Sequence, residues 1–398
     1  MKKLSSFIAI AGLWILLPLA AVSQKKVEWT SQKISLTKGL TFPLRIPAGY
    51  QISIAAEGLE RPRFFAKSPD GRLFVTDMHN RSDNKKGRVV VLDKWNADTK
   101  TFAKRTTFLK DLHNPNQVAF YTKNGQTYIY VAETGKLSYY KYNAGDSVAV
   151  GEPVVIATFP DYGLSYKYGG WHLTRSIVFK NDKIYVSVGS SCDACVEKED
   201  VRAVILEMDP DGSNKRIFAR GIRNAVGIKW VNDNLWVTHM GRDNRGPDKP
   251  EELFHTVVEN GFYGWPYYYQ YRKTIIADTQ FIKVRRPDFA RKPPVAPYGF
   301  KAHSAPLGFE YVTGFDDPLL NNSFLVALHG STSVWRQRGN AIVQLLPGGA
   351  YRELVSGFLQ GTTENKRYGR PCDILQWNRK SFFISDDKNG VIYFLEKR

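Results

Sequence analysis

Six points along this chain carry side chains able to bind or transfer charge: Arg63, Gln117, His172 with Arg175, Arg223 with Asn224, His303, and Arg367 with Arg370. Each stands near the opening of a segment that resembles the others. Guanidinium forks bind carboxylates through paired hydrogen bonds. An imidazole is suited to take a proton from a hydroxyl near neutral pH. Gathered around one axis, the set would hold a flat, multiply anionic molecule with a base beside it. Each residue also has a plainer reading: His172 as a satisfied histidine at a junction, and Arg223 and Arg370 as salt bridges between repeats. His303 and His329 read equally as substrate contacts and as structural residues. Asp386-Asp387 resembles a metal pair, but it repeats the turn seen as Thr76-Asp77 and reads as a turn.

The elements that must position these residues are repeats. One phrase recurs: an apolar strand, a polar Asp-Gly or Asn-Asp turn, a second alternating strand, a gap, and a third β-branched strand. Copies open near Arg63 (FFAKSPDGRLFVTDM), Gln117 (QVAFYTKNGQTYIYVAE), Arg175 (RSIVFKNDKIYVSVG), Ala225 (AVGIKWVNDNLWVTHM), Leu307 (LGFEYVTG) and Arg370 (RPCDILQWNRKSFFISDD). The expected fold is all-β, a six-bladed β-propeller whose innermost strands converge on one mouth. No long stretch has helical periodicity. The segment from Val27 to Ile54 is expected to lend an outer strand to the last blade and close the ring. The insertion from Tyr267 to Pro306 is expected to lie between blades, as an extended loop over one face.

Residues 1–23 have the zones of a secretory leader: Lys2 and Lys3, an apolar run from Phe7 to Val22, and a small-residue exit at Ala21-Val22-Ser23. The mature chain is expected to be one domain, residues 24–398, periplasmic or secreted, with no membrane span. The net charge of +18 in 398 residues would suit an anionic partner, but without a basic run or an aromatic-interleaved stripe it does not point to nucleic acid. Of the cysteines, Cys192 and Cys195 are spaced for a short structural disulfide, with a redox pair or free thiols as the rival reading and Cys372 left single. Position 196 is Val, which excludes haem attachment, and there is no second Cys pair for zinc.

The ordered segments GGWHLTRSIVFKNDKIYVSVGSSCDAC, GIRNAVGIKW, ENGFYGWP, HSAPLGFEY, LVALHGS and GRPCDILQW with FFISDDKNGVIYFLE resemble the soluble quinoprotein sugar dehydrogenases, closest to the sorbosone-dehydrogenase branch. The resemblance covers most of the mature chain. It implies pyrroloquinoline quinone and Ca2+ as cofactors, with a sugar hydroxyl as substrate and a periplasmic electron acceptor as partner. It makes His172 the base and Arg223 the cation beside the reacting carbonyl. It further implies Asn224, Arg367 and Arg370 as cofactor contacts, with Arg175 and Gln117 added from their places in the repeats. Calcium would sit in the loop HMGRDNRGPDKPEEL, around Gly241, Arg242 and Asp243, with Glu252 outside.

Two departures bear on substrate. Trp171 stands where glucose-oxidising members have an acidic residue, and His329-Gly330-Ser331-Thr332-Ser333 departs from the usual sorbosone pattern. Two other functions compete. A lactonase-type hydrolase would need a metal held on the axis by carboxylates, and a non-catalytic propeller would hold its ligand without turnover.

Overall fold

The computed structural model describes residues 27–160, 172–330 and 337–398. The leader, Trp171, and Ser331 to Ser333 lie outside them. The described residues form a six-bladed β-propeller. The first blade comprises Pro62–Lys67, Leu73–Asp77, Gly87–Asn96 and Thr101–Leu112. The second begins at Gln117–Lys123, the third at Arg175–Lys180, the fourth at Ile228–Val231, the fifth at Pro306–Val312 and the sixth at Pro371–Asn378. Each first strand pairs antiparallel with its successor. In blades two, three and four the connecting turns are Asn124-Gly125, Asn181-Asp182 and Asn232-Asp233, all with positive φ. That is the geometry a tight two-residue hairpin demands, and Asn, Asp and Gly tolerate it best.

The core is divided among the blade interfaces. Blades two and three, for example, enclose Tyr130, Leu137, Ile177, Ile184, Val186 and Leu206. Toward the axis a belt of hydrogen bonds from side-chain donors crosses every seam. Thr76 Oγ1 donates to Asn116 O (2.7 Å), Asn116 Nδ2 to Ser176 Oγ (3.0 Å), and Ser176 Oγ to Val226 O. Thr238 Oγ1 then donates to Leu307 O (2.9 Å), Asn340 Nδ2 to Gly369 O (3.0 Å), and Ser385 Oγ to Arg63 O (2.7 Å). Phe64, Val226, Leu307 and Cys372 form a buried apolar cluster within this belt.

Tyr50–Ala56 pairs with Val391–Lys397, so an N-terminal strand closes the sixth blade as expected. The strands before it, Trp29–Ser35 and Thr41–Pro47, form a separate hairpin. The insertion is placed differently from expectation. Tyr298–Phe300 is the outer strand of blade four, paired to Glu252–Val257, so the insertion lies within a blade and not between two. Its body holds a hairpin, Tyr268–Tyr271 with Thr274–Ala277. Just before it, Gly261–Phe262 adds a parallel fifth strand to blade three.

Candidate functional site

His172 lies just before the first strand of blade three, and its partner lies just past the second. Nδ1 is 2.8 Å from the Ser190 carbonyl and 3.0 Å from Ser190 Oγ. A carbonyl only accepts, so Nδ1 carries the proton and Nε2 keeps its lone pair. Burial, reinforced by Arg223, pushes the imidazole down to about 3, so it is neutral at ordinary pH. Gly189 makes the space: a Cβ there would lie 2.5 Å from His172 Cβ and 2.7 Å from Asn224 Oδ1. Asn224 in turn donates from Nδ2 to Met240 Sδ at 3.3 Å.

Arg223 is almost fully buried, and its guanidinium is held from several sides. Nε donates to the Asp193 carbonyl (2.9 Å), Nη1 to Gly241 O (2.6 Å), and Nη2 to Asp193 Oδ1 (3.0 Å) and Asp243 Oδ2 (3.2 Å). Behind it, the Arg223 amide donates to His239 Nε2 (3.0 Å). That bond places the His239 proton on Nδ1, which donates to His255 Nε2 (3.2 Å), and His255 Nδ1 donates to Thr256 O (3.0 Å). Burial first, with each neighbour's positive form adding to it, keeps His239 well below the usual imidazole range, and burial brings His255 to about 4. Both stay neutral.

Asp193 lies inside the Cys192–Cys195 disulfide, which forms as expected, while Cys372 is free and buried. The disulfide sulfurs with Glu197 are the one grouping of potential metal ligands found among the described residues, and sulfurs bonded to each other are not thiolate ligands.

A second cluster lies where blades one, five and six meet. Asp387 receives Arg63 Nη1 (2.6 Å), Arg61 Nη2 (2.9 Å) and His329 Nε2 (2.8 Å). Arg370 donates from Nη2 to His329 Nδ1 (2.9 Å) and from Nε to His329 O (3.3 Å). Arg367 pairs with Glu364 at 2.7 Å. Arg81 is close enough for its charge to act on Arg61, Arg367 and Arg370. Five guanidiniums thus gather around Asp387 and Glu364, and burial pushes the neighbouring Asp386 up toward its neutral form. Burial, with neighbouring arginines opposing the pull of Asp387, brings Arg370 down to about 9. Such crowding of like charge favours an anion.

Several of the residues expected at the site are engaged with protein groups. Arg175 is fully buried, and its guanidinium binds the carbonyls of His172 (2.8 Å) and Thr174 (2.9 Å), so it braces the chain at His172. Gln117 Oε1 accepts the Ile177 amide at 3.0 Å, which makes it a seam residue. Gly241, Arg242 and Asp243 form no oxygen cage of the kind calcium needs. Gly241 O and Asp243 Oδ2 both turn to Arg223, while Arg242 ion-pairs with Asp278 at 2.9 Å. Glu252 accepts the amides of Gly241 (2.8 Å) and His303 (3.0 Å), and burial, with Asp243 adding, raises it to about 7. His303 Nε2 donates to Gly246 O (2.9 Å), and His329 binds Asp387 and Arg370, so both have structural partners. The pair Asp386-Asp387 is half a turn, as expected. Asp386 accepts the amides of Arg370 (2.9 Å) and Lys388 (3.0 Å), whereas Asp387 anchors the charge cluster.

Sequence reasoning missed Arg61, Arg81, Asn116, Asp193, Asp387 and the His239–His255 pair. One signal was available. Arg61-Pro62 opens the first blade as Arg370-Pro371 opens the sixth.

Comparison with known proteins places the chain. Residues 41–296 match the family described as Domain of unknown function (DUF7133). The chain is a DUF7133 protein. This DUF7133 chain is also 23% identical, over 383 residues, to an uncharacterized protein of Borreliella burgdorferi, covering 89% of the chain and 91% of that relative. Its fold resembles three sugar-active propellers. The holo pyranose dehydrogenase PQQ domain of Coprinopsis cinerea gives TM-score 0.69 at 16% identity, covering 89% of this chain and 97% of that one. The calcium structure of a Trichoderma reesei carbohydrate-active enzyme of family AA12 gives 0.72 at 16%, covering 94% and 98%. The soluble aldose sugar dehydrogenase of Escherichia coli, in the apo form, gives 0.62 at 14%, covering 88% and 100%. At these identities the likeness is one of fold.

Proposed function

We propose that this DUF7133 protein is an exported quinoprotein oxidoreductase that oxidises an aldose or related sugar aldehyde or hemiacetal with pyrroloquinoline quinone. The observation that carries this reading is the pairing of two features near the axis: a guanidinium cluster with more positive than negative charge, and a neutral histidine whose Nε2 is unprotonated.

The donor set fits a molecule with several carboxylates. Arg370 and Arg367, joined by Arg61, Arg63 and Arg81, would hold it, since guanidinium forks match carboxylates in shape and charge. Bound pyrroloquinoline quinone would supply the hydride acceptor. His172 Nε2 takes the proton from the sugar hydroxyl, while the Nδ1 bond to Ser190 steadies the imidazolium that results. Arg223, already fixed by Asp193 and Gly241, supplies positive charge where negative charge develops on an oxygen, with no reorganisation at the moment of reaction. Asn224 stands beside both. No step is assigned to calcium. The leader-like residues 1–23 support export, with a periplasmic carrier as the electron acceptor, and no described helix is long and apolar enough to cross a membrane.

The test is reconstitution of the mature chain from Gln24 with pyrroloquinoline quinone, with and without calcium, following dye reduction across a panel of aldoses, with His172→Ala as control. Sugar-dependent turnover lost in the variant supports the reading. Quinone binding without turnover on any aldose or sugar aldehyde favours a ligand-holding propeller. Absence of quinone binding overturns the proposal.

A further inference from the structure

Asp193 is bonded to five residues of the site, Arg223, Arg242, Asp243, Asn244 and Trp265. Its carbonyl accepts Arg223 Nε (2.9 Å) and Trp265 Nε1 (3.2 Å). Its Oδ1 accepts Arg223 Nη2 (3.0 Å) and the Asp243 amide (2.6 Å), and its Oδ2 accepts the Asn244 amide (3.2 Å). Arg242 Nε lies 3.4 Å from Oδ2. One residue therefore fixes two arginines and the backbone that supplies Gly241 O to Arg223.

The loop that carries Asp193 is itself tied down. The Cys192–Cys195 bond closes it, Ser190 Oγ donates to Cys192 O (2.7 Å), and the Ser191 amide and hydroxyl both bind Glu197 (2.7 and 2.6 Å). Ser190 is also the partner of His172 Nδ1. The base and the cation thus take their positions from one short segment, Ser190 just before the disulfide-closed ring and Asp193 within it, although His172 and Arg223 belong to different blades.

We propose that Asp193, held by the Cys192–Cys195 loop, is the positioning residue of this site: its carbonyl and carboxylate together preset the Arg223 guanidinium, and the same loop presets the His172 tautomer. A carboxylate that fixes a guanidinium and two backbone amides at once is the kind of support a preorganised site requires. The catalytic consequence rests on the dehydrogenase reading, whereas the positioning itself does not.

The experiment uses the full mature chain, labelled with 15N in Arg and His, with Arg223→Lys and His172→Gln to assign signals. In the unaltered protein the Arg223 Nε–H should resist exchange, its Nη groups should rotate slowly, and His172 should show the Nδ1–H tautomer. Asp193→Ala keeps the backbone carbonyl. It should free Nη rotation while leaving Nε–H protected. Cys192→Ser with Cys195→Ser should release Nε–H as well and mix the His172 tautomers. If Asp193→Ala does not fold, Asp193→Asn carries the same measurement.

In quinone-loaded enzyme, Asp193→Ala should lower kcat by about 100-fold with KM for the sugar changed by less than about threefold, the scale of losing an oriented charge in the transition state. An Arg223 guanidinium as restrained in Asp193→Ala as before overturns the proposal, as does unchanged kcat. Released Arg223 in a protein whose parent shows no sugar turnover would overturn the dehydrogenase reading and leave the positioning role supported.

Discussion

His172 shows how a residue's meaning is set by its surroundings. Burial and Arg223 hold its imidazole at about 3, so it should act as a base down to pH values at which an ordinary histidine is charged. Removing the positive neighbour removes one cause of that depression. Arg223→Gln should therefore move the acid limb of the kcat/KM profile to higher pH, toward the usual histidine value near 6.5, with kcat reduced as well. A profile unmoved by Arg223→Gln would show that Arg223 does not act on the base. In the arginine cluster, Arg370→Ala and Arg61→Ala should each weaken quinone binding by roughly 10- to 100-fold, the range of one charge-assisted contact. Isothermal titration would measure this, and a loss confined to Arg370 would place Arg61 in a purely structural role with Asp387. Arg370 was legible because a Gly-Arg-Pro motif surrounds it. Asp387 was not, since nothing in an Asp-Asp pair tells which carboxylate caps backbone amides and which turns to the axis.

At the scale of elements, the first strands of all six blades open where the repeat phrase places them, and both the disulfide and the closing strand appear as expected. What escaped was whatever depends on contact between blades. Gln117 and Arg175 occupy repeat positions like those of site residues, yet one bonds the neighbouring strand and the other folds back on the carbonyls of His172 and Thr174. The outer strand of blade four, Tyr298–Phe300, has only three residues after a Pro-rich run, too short for alternation to reveal. Gly189 belongs to this scale, because it lets one blade's second strand pass beneath His172. Gly189→Ala should cost about 1–3 kcal/mol through overpacking and displace His172, which thermal unfolding and sugar turnover would register together. Retained turnover with an unchanged Tm would mean that the imidazole has more room than the geometry gives it.

For the whole molecule, two buried carboxyls set a pH trend. Burial raises Asp373 to about 7, against the opposing pull of Lys229, and Glu252 to a similar value. Unfolded, such groups titrate near 4. Between those values the folded chain holds the extra protons, so their contribution to stability falls as pH rises from about 4 to about 7. Asp373 Oδ2 accepts the Phe65 amide (3.0 Å), while Oδ1 lies against Gly308, where a Cβ would be 2.0 Å away. Asp373→Asn keeps an acceptor for Phe65 without the charge. It should gain roughly 1–2 kcal/mol relative to the parent at pH 8 and little at pH 4; equal shifts in Tm at both values would count against the titration. Neutral His172 and His255 act in the opposite sense, since the unfolded chain takes up their protons as pH falls below about 6.5.

The closing strand has a consequence in time. Among the described residues Tyr50–Ala56 finds its one sheet partner in Val391–Lys397, and Arg63 meets Asp387 across 324 residues of sequence. During synthesis five blades emerge before either bond can form, so the nascent chain carries an unmatched strand throughout. Contacts of such long range are made late and slowly. A chain that cannot shut its ring until Val391–Lys397 has been made stays open while it is being synthesised.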